Sequence, residues 1–170
     1  IGSAHLQEKN QLNSVLNLLK LFKIYEVPMY FDTHAHYDDE AFDNDRYELL
    51  DSLPGRDVSL IVNAACDLKS VRTSIALAER YDYVYAAAGI HPHEANTATE
   101  EALLEIEKLS HNNKVVAIGE IGLDYHYDFS PREQQREAFR AQMELARALG
   151  LPVIVHDREA HEDCLNIVKE

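Results

Sequence analysis

Cysteine, glycine and proline are scarce in this sequence of 170 residues, which has two, six and five of them respectively. The two cysteines, Cys66 and Cys164, lie far apart and belong to no CxxC pair or Cys/His finger, which excludes a disulfide framework and a structural zinc knuckle. The mixture is that of an ordinary globular protein and excludes collagen and low-complexity disorder. No run of about 18 to 20 uncharged apolar residues is present, and the first residues lack a signal-peptide pattern. We therefore expect a cytoplasmic protein without a membrane partner.

Basic residues are also in the minority. The sequence has 16 Lys and Arg but 30 Asp and Glu, which gives a formal net charge of −14. A protein of this charge does not hold polyphosphate by a basic surface alone, so chemistry on phosphate would need metal ions. The length allows one domain with a sizeable core, but it is short of the roughly 250 residues of a complete eight-unit α/β barrel.

Short β-branched runs alternate with amphipathic stretches from residue 27 onward, which is typical of β-α units around a parallel sheet. The predicted strands are Val27–Asp32, Val58–Asn63, Val84–Ala88, Val115–Glu120 and Val153–His156. The predicted helices are Asp43–Ser52, Leu68–Arg80, Thr99–Leu109, Pro131–Leu149 and Ala160–Lys169. An α/β barrel and a doubly wound sheet both fit this alternation.

Two helix starts carry local signals. Ser130 at the N-cap, Pro131 at the first helical position and Glu133 predict a capping box for the long fourth helix. The acidic run Asp38–Glu40 is predicted to cap the helix that follows it rather than to bind a metal.

The first 28 residues carry leucines at helical spacing, such as Leu12 and Leu16, and predict an N-terminal helix without chemistry of its own. A sharper hypothesis is that Met29 is the native start and that the preceding codons overlap a ribosome-binding sequence. We therefore expect an extension at residues 1–28 and a domain at residues 29–170.

Histidines close the first predicted strand. His34 and His36 are two residues apart, so an extended chain presents both imidazoles on one face, where they can bind one divalent ion. Asp32 lies close enough to orient them. A pair of surface histidines is the other interpretation of this segment alone.

Further metal-compatible side chains end three later strands. Glu120 follows an apolar run, and its burial there calls for a cation, with an arginine or lysine as the other possible partner. His156 ends the fifth strand. His91 and His93 follow the third strand, and we expect His91 to reach the site while His93 lies in solvent or in the site wall. The sequence contains no GxSxG elbow, phosphate-binding GxxxxGK[ST] loop or GxGxxG turn.

Four segments together resemble, in order and spacing, the TatD-type metal-dependent deoxyribonucleases. They are FDTHAH at 31–36 with Asp39, GIHPH at 89–93, GEIGLDY at 119–125 and VHDREA at 155–160. The resemblance implies a (β/α)8 barrel of the metal-dependent hydrolase type, represented by about its first five β/α units in residues 29–170.

The resemblance also implies the roles of individual residues. His34 and His36 would bind one divalent ion, Glu120 would bridge two ions as the catalytic carboxylate, and His156 would bind the second. His91 and Arg158 would lie near the substrate phosphate. The ions would be Mg, Mn or Zn. The family's remaining ligands, a histidine on the sixth strand and an aspartate on the eighth, have no counterpart in these residues.

The expected activity of the complete enzyme is therefore removal of nucleotides from the 3′ end of DNA, with single strands or 3′ ends as substrate and no obligate protein partner. Two alternatives stay open. The same metal centre can act on an amide or an ester. The 170 residues alone would also fit a catalytically incomplete chain that only binds metal.

Overall fold

A computed structural model describes residues 30–170. The strands are β1 (Tyr30–Ala35), β2 (Val58–Ala64), β3 (Val84–Ala88), β4 (Val115–Asp124) and β5 (Val153–Arg158). The helices are α1 (Arg46–Ser52), α2 (Leu68–Arg80), α3 (Glu100–Ser110), α4 (Arg132–Leu149) and α5 (His161–Lys169). Short 3-10 helices span Glu40–Phe42, Leu53–Arg56 and Pro92–Thr97. The N-terminal helix, the proposed start at Met29 and the beginning of the first predicted strand lie outside the described residues.

The strands form one parallel sheet in the order β1-β2-β3-β4-β5. A doubly wound sheet reverses its strand order partway, whereas a barrel adds each strand beside the preceding one. The sequential order therefore decides between the two predicted architectures and gives part of a (β/α)8 barrel. Within residues 30–170, no helix combines the length and the apolar character that crossing a membrane requires.

Alternate positions on the strands enter two different hydrophobic clusters. Ile61 and Ile118 belong to the main core together with Phe139 of α4, and all three are fully buried. Their neighbours Val62 and Ala117 belong to a second, smaller cluster. This alternation is expected for strands that are covered on both faces, and it separates the residues that face the helices from those on the opposite face of the sheet.

The fourth and fifth strands are longer than predicted. The sequence predicted ends at Glu120 and His156, but pairing continues through Gly122 with His156 to Asp124 with Arg158. Gly122 makes this approach possible because its φ is +143° and a Cβ there would lie 2.0 Å from the carbonyl oxygen of His156.

The predicted capping box at Ser130 was wrong. Helix α4 begins at Arg132 with Pro131 at the N-cap, and no side chain caps it. The Ser130 hydroxyl instead donates a hydrogen bond to the carbonyl of His93, 2.8 Å away. The acidic run behaves as expected, because the Asp39 carboxylate accepts a hydrogen bond from the Ala41 N–H at the start of a 3-10 helix.

Candidate metal centre

Four strands bring the predicted ligands to one place, since the carboxyl ends of parallel strands share one edge of the sheet. His34 lies on β1 and His36 directly follows it, Glu120 lies on β4, and His156 lies on β5. His91 follows β3 as the N-cap of the 3-10 helix Pro92–Thr97. These five side chains line a single cavity, which we call the histidine cavity.

Glu120 lies at the centre of this cluster, and each of its carboxylate oxygens faces different histidines. Oε2 is 2.9 Å from Nε2 of His34 and 3.6 Å from Nε2 of His36. Oε1 is 2.7 Å from Nδ1 of His156 and 3.9 Å from Nε2 of His91. One buried carboxylate is therefore shared by two groups of imidazoles.

The hydrogen-bond partners assign the protons on two of the rings. Nδ1 of His36 is 2.9 Å from the carbonyl oxygen of Ala64, which only accepts, so the ring proton is on Nδ1 and the Nε2 lone pair faces Glu120. Nε2 of His156 is 3.0 Å from the Asp124 carboxylate, so the neutral ring carries its proton there and its Nδ1 lone pair faces Glu120. Both lone pairs point where a cation would lie.

His91, unlike His36 and His156, has its ring proton on the nitrogen that faces the centre. Its Nδ1 accepts a hydrogen bond from the backbone N–H of His93 at 3.1 Å, so the proton of the neutral ring is on Nε2. That nitrogen is 3.1 Å from Nδ1 of His156. The His91 ring is buried, and burial is the main reason that its pKa falls to about 4. At neutral pH it therefore offers an uncharged N–H donor toward the centre.

Glu120 is ionised in this environment. Burial raises its pKa, but a hydrogen bond from the protonated form of His156, followed by the interactions with His91 and His34, outweighs burial and lowers the pKa to about 2. Burial also lowers the pKa of His156, whereas the charged form of the ring, which can donate from both nitrogens to Glu120 and Asp124, is favoured by them, and the net shift is upward. At neutral pH the Glu120 carboxylate therefore places a negative charge among the imidazoles.

Asp124 is a second carboxylate in contact with the histidine cluster, and it is absent from the predicted site residues. Its Oδ2 lies 3.0 Å from Nε2 of His156 and 2.8 Å from Nε2 of His93, and the residue is completely buried. Its Oδ1 accepts hydrogen bonds from the backbone N–H groups of His126 and Tyr127. Like Glu120, Asp124 is a carboxylate that directly follows an apolar stretch of a strand, and this sequence signal marks both residues.

Two buried glutamines on α4 hold the backbone beside the site. Gln142 accepts from the Ile90 N–H at 2.7 Å and donates to the Ile90 carbonyl at 3.1 Å. Gln135 makes the same pair of bonds to the backbone of Asp124 at 2.8 and 3.1 Å. Ile90, which precedes His91, and Asp124, the carboxylate partner of His156, are thereby both fixed to α4.

The remaining predicted site residues lie around this centre. Asp32 accepts a hydrogen bond from the backbone N–H of His34 at 3.2 Å. His93 lines the cavity wall. Arg158 does not line the histidine cavity within the described chain, and its guanidinium lies 5.0 Å from the centroid of the Tyr127 ring.

The donor set suits divalent metal ions. One nitrogen of each of His34 and His36 and a Glu120 oxygen lie within 4.8 Å of one another, as do atoms of His91, Glu120 and His156. Mixed imidazole and carboxylate ligands are typical of Zn, Mn and related ions. The cavity has a volume of about 700 Å³. It is also lined by Asp38, Asp39, Ala41, Phe42, Cys66 and Glu94. No Lys or Arg is among these lining residues, so the walls favour cations.

Two proteins of related sequence match most of the chain. The chain is 46% identical over 142 residues to the uncharacterized metal-dependent hydrolase YabD of Bacillus subtilis, covering 84% of this chain and 56% of YabD. It is 37% identical over 131 residues to the 3'-5' ssDNA/RNA exonuclease TatD of Cronobacter sakazakii, covering 77% of this chain and 50% of that enzyme. The chain thus spans about half the length of these relatives.

Solved structures agree with the fold. The crystal structure of YJJV, a TatD homologue from Escherichia coli, matches with a TM-score of 0.77 and 32% identity over 84% of this chain and 56% of that one. An uncharacterized amidohydrolase from Saccharomyces cerevisiae matches with a TM-score of 0.74 at 22% identity, over 82% of this chain and 51% of that one, and shows the fold alone. The profile of the family described as TatD related DNase matches residues 31–170, and the chain therefore belongs to this family.

Proposed function

We propose that the whole protein is a metal-dependent nuclease that hydrolyses phosphodiester bonds of single-stranded DNA from the 3′ end. The observation that carries this proposal is the position of Glu120, whose two oxygens each face a different set of imidazoles. Such a shared carboxylate suits two cations placed side by side. The name of the Cronobacter sakazakii relative supports the substrate and the polarity.

His34 and His36 would hold one ion, His156 would hold the other, and Glu120 would contact both. The ions would be Mg, Mn or Zn, since imidazole and carboxylate ligands accept each of them. When bound, divalent ions act as Lewis acids toward a phosphoryl oxygen and make a water molecule a stronger nucleophile at neutral pH. Asp124 keeps the His156 lone pair pointed at the centre.

His91 and Arg158 would act on the substrate rather than on the ions. The uncharged Nε2–H of His91 faces the centre and can donate to a phosphate oxygen without competing for a cation. Arg158 lies outside the histidine cavity, so its guanidinium would contact a neighbouring phosphate of the strand.

The acidic walls support a strict need for cations. Asp38, Asp39 and Glu94 line the cavity beside Glu120, and DNA would be repelled from such a surface unless cations neutralised it. We also place the activity in the cytoplasm, a proposal that the free thiols of Cys66 and Cys164 support.

The proposal is tested with the whole protein, expressed from its complete coding sequence and loaded in turn with Mg, Mn and Zn. Single-stranded DNA labelled at the 5′ end should shorten in single-nucleotide steps, and DNA labelled at the 3′ end should release labelled mononucleotide first. Chelation of the ions with EDTA should stop both reactions.

An RNA strand and a p-nitrophenyl ester serve as comparison substrates in the same assay. Hydrolysis of the ester without cleavage of either nucleic acid would contradict the nuclease proposal and favour the amide or ester alternative. Bound metal without hydrolysis of any substrate would leave the protein as a metal binder only.

A further inference from the structure

Two exposed aromatic side chains stand in the loop between β4 and α4. The rings of Tyr127 and Phe129 are stacked, with 5.3 Å between their centroids and 16° between their planes. The exposed fractions are 47% for Tyr127 and 68% for Phe129. Neither residue is part of the hydrophobic core of the described chain, so packing does not account for the pair.

This aromatic pair continues the wall of the metal centre. The His93 ring, which lines the histidine cavity, lies 4.7 Å from the Phe129 ring and 5.6 Å from the Tyr127 ring. The Arg158 guanidinium lies 5.0 Å from the Tyr127 ring. A single strand that reached the centre would therefore pass a flat aromatic surface with a positive charge beside it.

The loop holds the pair in place before any ligand arrives. Asp124 accepts hydrogen bonds from the backbone N–H groups of His126 and Tyr127 at 3.0 and 2.9 Å. Ser130 donates to the His93 carbonyl at 2.8 Å, which ties the far end of the loop to the cavity wall. The carboxylate that orients His156 thus also positions Tyr127, and little ordering is needed when a ligand binds.

We propose that the Tyr127–Phe129 pair is a stacking subsite for one nucleobase of a single strand whose backbone reaches the metal centre, an inference that rests on the proposed nuclease function. Every base has a π face, so stacking holds a strand without selecting its sequence. Arg158 beside the rings adds attraction for the backbone.

The test compares two hydrolysis-resistant phosphorothioate strands of about ten nucleotides, within the span that single-strand sites cover. One is oligothymidylate, and the other carries abasic sites with the same number of phosphates. Binding to the whole protein with Mg present is measured by fluorescence anisotropy. We expect oligothymidylate to bind about tenfold more tightly, since one stacked base contributes on that order.

The variants Phe129→Ala and Tyr127→Ala should remove most of this preference, and Phe129→Trp should keep it. Tyr47→Ala is the matched control, because Tyr47 is also a half-exposed tyrosine with an arginine, Arg80, 4.2 Å from its ring centroid. The Tyr47 carbonyl accepts a hydrogen bond from the Tyr81 hydroxyl. Tyr81 lies just before the amino end of β3, so Tyr47 is at the edge of the sheet opposite to the histidines. The control should bind both strands like the unmodified protein.

Methyl p-nitrophenyl phosphate separates a base contact from damage to the centre. Phe129→Ala should hydrolyse this base-free diester at the rate of the unmodified protein while its preference for oligothymidylate is lost. Equal affinity of the unmodified protein for the two strands would overturn the subsite, and this comparison needs no variant. Cleavage of DNA with equal affinities would leave the nuclease proposal standing, whereas neither binding nor cleavage would overturn both.

Discussion

Oδ2 of Asp124 lies 3.0 Å from Nε2 of His156, while Oδ1 of the same carboxylate accepts the backbone N–H of Tyr127 at 2.9 Å. Burial raises the pKa of Asp124, but these hydrogen bonds and the one from His93 lower it well below its usual range. A buried carboxylate with a strongly lowered pKa therefore couples the position of the proton on the His156 imidazole to the shape of the adjoining loop.

The variant Asp124→Asn should weaken binding of divalent ions by about 10- to 100-fold. Its Oδ1 can still accept the loop N–H groups, but its amide NH₂ would face Nε2 of His156 and move the ring proton to Nδ1. The lone pair that faces Glu120 would then be lost. Calorimetric titration with Zn or Mn measures the effect. Asp82→Asn, an exposed residue before β3, is the control, and unchanged ion affinity in Asp124→Asn would contradict the assignment.

The variant Glu120→Gln should abolish nuclease activity and reduce the number of bound ions. The amide removes the negative charge that two groups of imidazoles share, and only one of its atoms can accept. Elemental analysis of the purified protein and the strand-shortening assay measure the two effects. Glu144→Gln changes an exposed carboxyl on α4 and should leave both unchanged. Rates equal to those of the unmodified protein in Glu120→Gln would refute its role.

The positions of the candidate ligands could be predicted because each comes at the end of a run of apolar strand residues. A run of β-branched residues marks the strand, and the first polar residues after it lie at the carboxyl edge of a parallel sheet. His34, Glu120 and His156 were found in this way, and their meeting in one cavity follows from the sheet order.

Other contacts could not be predicted from local patterns. Gln142 lies among charged residues of α4, and only the packed helix shows that its amide reaches the backbone of Ile90. Ser130 has the local sequence signals of an N-cap, but its hydroxyl donates a hydrogen bond to the carbonyl of His93 in the connection between β3 and α3. In both cases, a partner distant in sequence decides the role of a polar side chain.

The variant Gln142→Leu should lower the free energy of unfolding by about 2 to 4 kcal/mol, because the buried N–H and carbonyl of Ile90 both lose their partners. Urea denaturation followed by circular dichroism measures this. Gln134→Leu, an exposed position on the same helix, should change the value by less than about 0.5 kcal/mol. Equal stability of the two variants would show that the hydrogen bonds between Gln142 and Ile90 do not stabilise the folded protein.

The variant Gly122→Ala should cost more than about 3 kcal/mol of folding free energy, since its Cβ would lie 2.0 Å from the His156 carbonyl oxygen at a φ of +143°. The strands β4 and β5 would have to separate beside two site residues, so ion affinity should fall as well. Gly55→Ala is the control, because no atom lies within 4 Å of a Cβ placed there. A Gly122→Ala protein with unchanged stability would mean that the two strands do not approach this closely.

Both cysteines should resist alkylation at neutral pH. Burial, aided by nearby carboxylates, raises the pKa of Cys66 and of Cys164 to about 12, so the reactive thiolate is scarce in the folded chain. Because both pKa values rise on folding, the associated stabilisation is complete below pH ~9 and is lost as the pH increases toward 12. Iodoacetamide labelling at pH 7.5 followed by mass spectrometry should find neither thiol modified in the folded protein and both modified in urea. Rapid labelling of Cys164 in the folded protein would show that α5 opens and exposes its buried face.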